Sequence, residues 1–233
     1  MRSTSASSLA FSIYLILAIS IVGFTEPLLP EAEFALLTGP APFESVEDLL
    51  NNPTKVAYEL DTWRQDGDKI IRTESDVHAI YPYPLEFFLQ ELLDFENTKD
   101  VYSMVRESTL EYASDDPFGK HSLMVRFGVK VLGFGAEYTY VTDSWTEELG
   151  SGYLQKYRLN RCPDGTLYQL RGSWFIDEII HNGEPHTYIR NYAIIGIQKG
   201  SLAMELAIRT FGIWQLQQVF NKTADAVRKA ALQ

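Results

Sequence analysis

The chain has 233 residues, is 45% hydrophobic and 13% aromatic, and carries a net charge of −11. That length supports one sizeable domain plus an extension, and that composition excludes a disordered chain. The acidity argues against a nucleic-acid binder, which shows a basic stripe, and against docking to anionic lipid by charge; the single cysteine, Cys162, excludes an internal disulfide and any cysteine-based metal site.

Residues 1–23 have the layout of a secretory signal peptide. Arg2 and small polar residues precede an apolar run over 9–22, shorter than the roughly 20 residues of a spanning helix, and Ala18, Ser20 and Gly23 offer cleavage sites. The expectation is export to a periplasmic or extracellular compartment with no stable membrane insertion after cleavage; the alternative is a membrane anchor formed by an uncleaved signal. Residues 24–54 are a leader interrupted by Pro27, Pro30, Pro40, Pro42 and Pro53. Within it, 45–50 spells one or two helical turns capped by Ser45. The leader reads as a spacer or as an arm packing on the domain's edge.

The domain proper spans 55–233. Runs over 56–63 and 69–80 flank the turn Asp66-Gly67-Asp68, a hairpin signal. Pro84 suits the first turn of a helix, and Leu85, Phe88, Leu89, Leu92 and Leu93 recur at helical spacing. Residues 94–102 read as a second short helix or turn. Strands then follow over 104–113, 122–131, 136–146, 152–161, 166–181 and 186–198, separated by Gly, Pro, Asp and Asn turns. The clearest is the fourth strand, where Leu123, Val125, Phe127, Val129 and Val131 alternate with Ser122, Met124, Arg126, Gly128 and Lys130. Ser201 caps a final long helix. Leu202, Leu206, Ile213, Phe220 and Val227 form one stripe on it, widened over the first half by Met204, Ile208, Phe211 and Trp214. That breadth predicts burial on more than one side in the first half, and a more exposed second half from Gln217 onward.

No metal spacing links His78, His121, His181 and His186, and no phosphate loop or nucleophile motif is present, so no cofactor is expected. Asn221-Lys222-Thr223 is a glycosylation sequon placed inside a helix. Aromatic residues share strand faces: Tyr138 with Tyr140, Tyr153 with Tyr157, Tyr168 with Trp174. They either pack across strands or line a cavity. Asn191 lies on one face with Ile189, Ala193, Ile195 and Ile197, and on an inner face its amide needs a partner. Arg158, Arg171 and Arg190 fall on three consecutive strands; an inward one would grip an anionic headgroup.

Several stretches resemble the START-like, helix-grip superfamily that also contains polyketide cyclases. These are Asp66-Gly67-Asp68-Lys69-Ile70, the strand-to-helix junction from Ala79-Ile80-Tyr81-Pro82 to Phe88, Asp94-Phe95-Glu96-Asn97-Thr98-Lys99, Gly172-Ser173-Trp174, Thr187-Tyr188-Ile189 and the terminal helix. The resemblance covers 55–233 and departs where the usual tryptophan after the short helices is replaced by Val101-Tyr102. It implies an α+β fold, a curved antiparallel sheet wrapped around a long C-terminal helix, with two short helices after the early strands. It further implies a cavity between sheet and helix holding a lipid, sterol-like or polyketide-like molecule. The expected function is an exported carrier of a hydrophobic ligand; a cyclase- or hydrolase-type enzyme and a pocketless interaction module are the alternatives. The candidate ligand contacts are Phe127, Tyr138, Tyr140, Tyr157, Trp174, Arg190, Asn191, Met204, Ile208 and Phe211.

Overall fold

Two turn dipeptides set the hairpins at the ends of the fold. Asp66 and Gly67 have φ of 52° and 88°, and Asn182 and Gly183 have 54° and 82°. Successive positive φ values give a primed turn, whose twist matches that of antiparallel strands. The first joins β1 (Thr54–Gln65) to β2 (Asp68–Tyr81); the second joins β7 (Leu167–His181) to β8 (Glu184–Ile197). The computed structural model describes residues 39–102, 104–131 and 134–232, and side chains outside 129–136.

Ahead of β1 lies α1 (Val46–Leu49), where Ser45 Oγ accepts from the Asp48 N–H. After β2 come α2 (Leu85–Leu93), a 3-10 turn (Phe95–Asn97) and α3 (Thr98–Val101). This excursion carries the chain to the far edge of the sheet. It then returns as a meander through β3 (Val105–Ala113), β4 (His121–Val131), β5 (Phe134–Leu149), β6 (Gly152–Arg161), β7 and β8. The strand order is β1-β2-β8-β7-β6-β5-β4-β3, antiparallel throughout. The final helix, α4 (Leu202–Ala231), begins with Ser201 Oγ accepting from Met204 N–H. The strands and helices expected from the sequence are all present, with boundaries shifted by a few residues.

Directly paired residues share a sheet face, so the register sorts every side chain. The concave face carries Ile71, Thr73, Ser75, Val77, Ala79 and Tyr81 of β2 beside Ile189, Asn191, Ala193, Ile195 and Ile197 of β8. Beside those lie Leu170, Gly172, Trp174 and Ile176 of β7, then Tyr153, Gln155 and Tyr157 of β6. Val77, Ala79, Tyr81, Ile176 and Ile189 pack with Leu85 and Phe88 of α2 and with Phe220 and Val227 of α4 into a core cluster in which every member but Leu85 (9%) is at most 2% exposed.

The convex face is covered too. Ile80, Leu154, Phe175 and Tyr188 pack under Val46, Leu49 and Leu50. The described part of the leader, from Gly39 on, therefore lies across the back of the sheet, where the sequence predicts a spacer or an arm at the domain's edge. The reason is chemical: the middle strands carry large apolar residues on both faces, so the back face needs a cover as much as the front.

Two further expectations fail. The first half of α4 is not enclosed: Leu202, Leu206 and Trp214 are 74%, 57% and 52% exposed, whereas the buried residues of α4 are Phe220, Thr223 and Val227 in the second half. The second half has α2 and the central strands to pack against, so its polar composition misleads. Tyr168 also leaves the face of Trp174. A bulge between Leu167 and Gln169 breaks the period of two, and the Tyr168 ring lies over Gly196 on the back of the sheet.

Candidate functional site

The concave face has a dry, fully buried end and a half-buried end. At the end nearer the start of α4, only Ile71, Leu167 and Ile197 are fully buried. Around them Leu60, Tyr138, Tyr140, Leu159, Leu170, Ile195, Met204 and Ile208 are half-buried. Large apolar side chains that face a helix yet keep some solvent access pack less tightly there than at the dry end.

Two contacts tie the first half of α4 to the first hairpin. Lys69, at the end of the first hairpin, pairs with Glu205 in the first turns of α4, and Glu205 also pairs with Arg209 at 3.2 Å. Tyr58 Oη on β1 donates to the Ile208 carbonyl at 3.3 Å. The approach depends on Gly212, where an added Cβ would lie 2.4 Å from the Tyr58 hydroxyl. Burial pushes the Tyr58 phenol up to about 12.

The floor beneath α4 is made of small residues. Ser75, Ala193 and Gly172 form one row across β2, β8 and β7, and the next residue in that row is Tyr157 of β6. Tyr157 folds over Gly172, where a Cβ would come within 2.2 Å of its hydroxyl. That hydroxyl accepts from Asn191 Nδ2 at 3.4 Å, and Nδ2 also donates to the Ser173 carbonyl at 3.0 Å. The amide that the sequence places on the inner face is thus partnered.

Three phenols meet at this place. Tyr138 packs on Phe127 (centroids 5.3 Å apart) and on Tyr140 (6.0 Å). Burial pushes the Tyr157 phenol up to about 12 and those of Tyr138 and Tyr140 higher still, with Tyr138 further raised by its neighbour Tyr140, and Tyr140 by Tyr157. All three are neutral O–H donors at any working pH. The Tyr138 and Tyr140 hydroxyls have no hydrogen-bond partner among the described residues. Among the same residues, no cluster of three or more histidine, cysteine, aspartate or glutamate side chains is arranged for a metal.

Solved structures with this arrangement exist. A STAR-related lipid transfer protein fragment from Xanthomonas axonopodis aligns over 76% of this chain and 99% of its own, with a TM-score of 0.50 and 13% identity. Human STARD10 aligns over 89% of this chain and 83% of its own, with a TM-score of 0.56 and 12% identity. This is the helix-grip fold of START-like proteins. No family model and no curated protein sequence matches the chain.

Within the helix grip, the sequence candidates divide by position. Tyr138, Tyr140, Met204 and Ile208 meet in one cluster, with Phe127 packed on Tyr138, and Tyr157 and Asn191 joined beside it. Trp174 lies against Phe220 (5.3 Å), where the dry end begins. Phe211 is half-buried on α4. Arg190 is on the opposite face of the sheet. It grips Asp76 through Nε (2.9 Å) and Nη2 (2.5 Å) and donates from Nη1 to the Gly39 carbonyl (2.9 Å), so it holds down the leader and contacts no ligand space. Beside it, Ala41 N–H donates to Tyr188 Oη (2.8 Å), and the Tyr188 hydroxyl is hydrogen-bonded to His78 Nδ1 (3.1 Å). Leu60, Leu159, Leu170 and Ile195 belong to the wall but read in sequence as ordinary strand residues. Tyr58 was equally hidden, and only the cross-strand register shows it facing α4.

Proposed function

We propose that this protein binds a hydrophobic molecule between its sheet and the first half of α4, and carries it without altering it. The supporting observation is the half-buried apolar wall around Tyr138, Tyr140 and Tyr157, set opposite a helix half whose Leu202, Leu206 and Trp214 stay exposed. Removing about 400 Å² of apolar ligand surface from water yields roughly 10 kcal/mol before ordering costs, enough for micromolar binding. Each phenol is held protonated by burial, and burial also raises the pKa of the one thiol in the wall, Cys162, which rests against the Asp164 carboxylate and is thus kept from acting as a thiolate nucleophile. One of the two similar folds is described as a lipid transfer protein, which fits this reading.

The carrier works outside the cytoplasm, in keeping with the signal-like residues 1–23. An acidic protein with a shielded apolar site suits transport through water, where free lipid is scarce. Native mass spectrometry of protein purified from its own host tests the binding. A non-covalent adduct of lipid mass supports it; a uniformly unliganded protein that also takes up no added lipid refutes it.

A further inference from the structure

We propose that the site selects an uncharged ligand whose polar end is a hydroxyl or carbonyl oxygen, and discriminates against the matching carboxylate or amine. The inference rests on the binding reading above and adds the chemistry of the headgroup.

The polar groups of the half-buried wall are neutral. Tyr138 and Tyr140 bring hydroxyls with no partner among the described residues, and Tyr157 accepts from Asn191 while keeping its own proton to donate. A ligand oxygen placed here would meet up to three donors. The remaining side chains of the wall are aliphatic or methionine, apart from Cys162, whose thiol donates to the Thr139 carbonyl at 3.4 Å.

The charges nearby are already engaged. Lys69 is bound to Glu205, and Glu205 to Arg209. Asp164, in the turn between β6 and β7, accepts from Thr166 N (2.8 Å), Thr139 N (3.3 Å) and Cys162 Sγ (3.2 Å). It stands on the Tyr138 side, where it would repel an anion. Arg64 and Lys199 border a surface hollow with Lys69, Gly67, Gly200 and Leu202 at the tip of the first hairpin, away from the three phenols. Arg64 there donates to the Gly67 carbonyl at 3.1 Å. A carboxylate pushed among the tyrosines would lose its hydration and gain no cation, a poor exchange in a low-dielectric site. An ammonium would exchange its hydration for neutral hydroxyls that supply no counter-charge, and the nearby Asp164 carboxylate already accepts three hydrogen bonds.

The test uses the full chain at pH 7.5, Nile red as a neutral reporter, and three competitors of equal chain length: oleyl alcohol, oleate and oleylamine, each below its solubility limit. Nile red should bind, and oleyl alcohol should displace it at roughly tenfold lower concentration than either charged analogue. Tyr138→Phe combined with Tyr140→Phe should weaken displacement by the alcohol severalfold and leave the two charged competitors where they were. Equal or better displacement by oleate would mean that the cations at the hairpin tip reach the ligand, and would overturn the inference. So would better displacement by oleylamine, failure of all three against bound Nile red, or an unchanged preference in the double variant. Absence of Nile red binding to the unmodified protein would instead overturn the binding reading beneath it.

Discussion

The buried charges at the back of the sheet carry the sharpest single-residue tests. Arg190 and Asp76 are 8% and 3% exposed and meet through two parallel hydrogen bonds. Removing one partner strands the other. Arg190→Ala is therefore expected to cost about 3–5 kcal/mol in urea unfolding. A loss below about 1 kcal/mol would show that the pair is solvated. His78, two residues from Asp76, is held neutral: burial lowers its pKa from 6.5 to about 4, with Asp76 opposing and Arg190 assisting. A neutral His78 is compatible with its hydrogen bond to Tyr188, whose hydroxyl also accepts from Ala41 N–H. The unfolded chain binds a proton at His78 below about pH 6.5 and the folded chain does not until about pH 4. Stability from this group is therefore complete above pH 6.5 and is lost as pH falls toward 4. Compared across that window, His78→Gln should have a flatter stability profile than the parent; parallel profiles would contradict the assignment.

At the scale of elements, α4 has two halves with different duties. Val227, 1% exposed, packs in the cluster with Phe88 and Phe220, while Leu206 is 57% exposed. Val227→Asp should lower stability by several kcal/mol by burying an unpaired charge, and Leu206→Asp by less than about 0.5 kcal/mol. Similar losses from both, measured by thermal unfolding, would show that the halves pack alike. This asymmetry was not legible in the sequence, since an apolar composition states what a helix would bury and not whether a partner stands opposite. The strands were legible because alternation and turn residues repeat along 104–198, and the Asp66-Gly67 and Asn182-Gly183 turns can adopt few other shapes. Face assignment was legible only in part. Residues 186–194 of β8 are buried without interruption, so no alternation marks which way Arg190 points. At Tyr168 the bulge shifts the count by one. Most of the site could be read all the same, because Tyr138, Tyr140 and Tyr157 precede the bulge and follow simple parity within their strands.

At the scale of the whole molecule, the chain forms three layers: leader, sheet and terminal helix. The back layer, from Gly39 to Leu50, is tied to the sheet by Arg190, Tyr188 and Leu49, and the front layer packs less tightly at one end. Residues 1–38 lie outside the described part, and export is proposed from their sequence. The mature chain is expected to begin between Ile21 and Thr25, which N-terminal sequencing of exported protein checks; full-length protein in the membrane fraction would point to an anchor. The central claim is that an apolar guest lies between the sheet at Ala193 and the first half of α4. Nile red titration of the parent and of Ala193→Trp, with thermal unfolding recorded on both, tests it most directly. Micromolar binding to the parent, reduced at least tenfold in a variant that still unfolds cooperatively, is the expected result. Undiminished binding to a folded Ala193→Trp protein, or no binding to the parent, would contradict it.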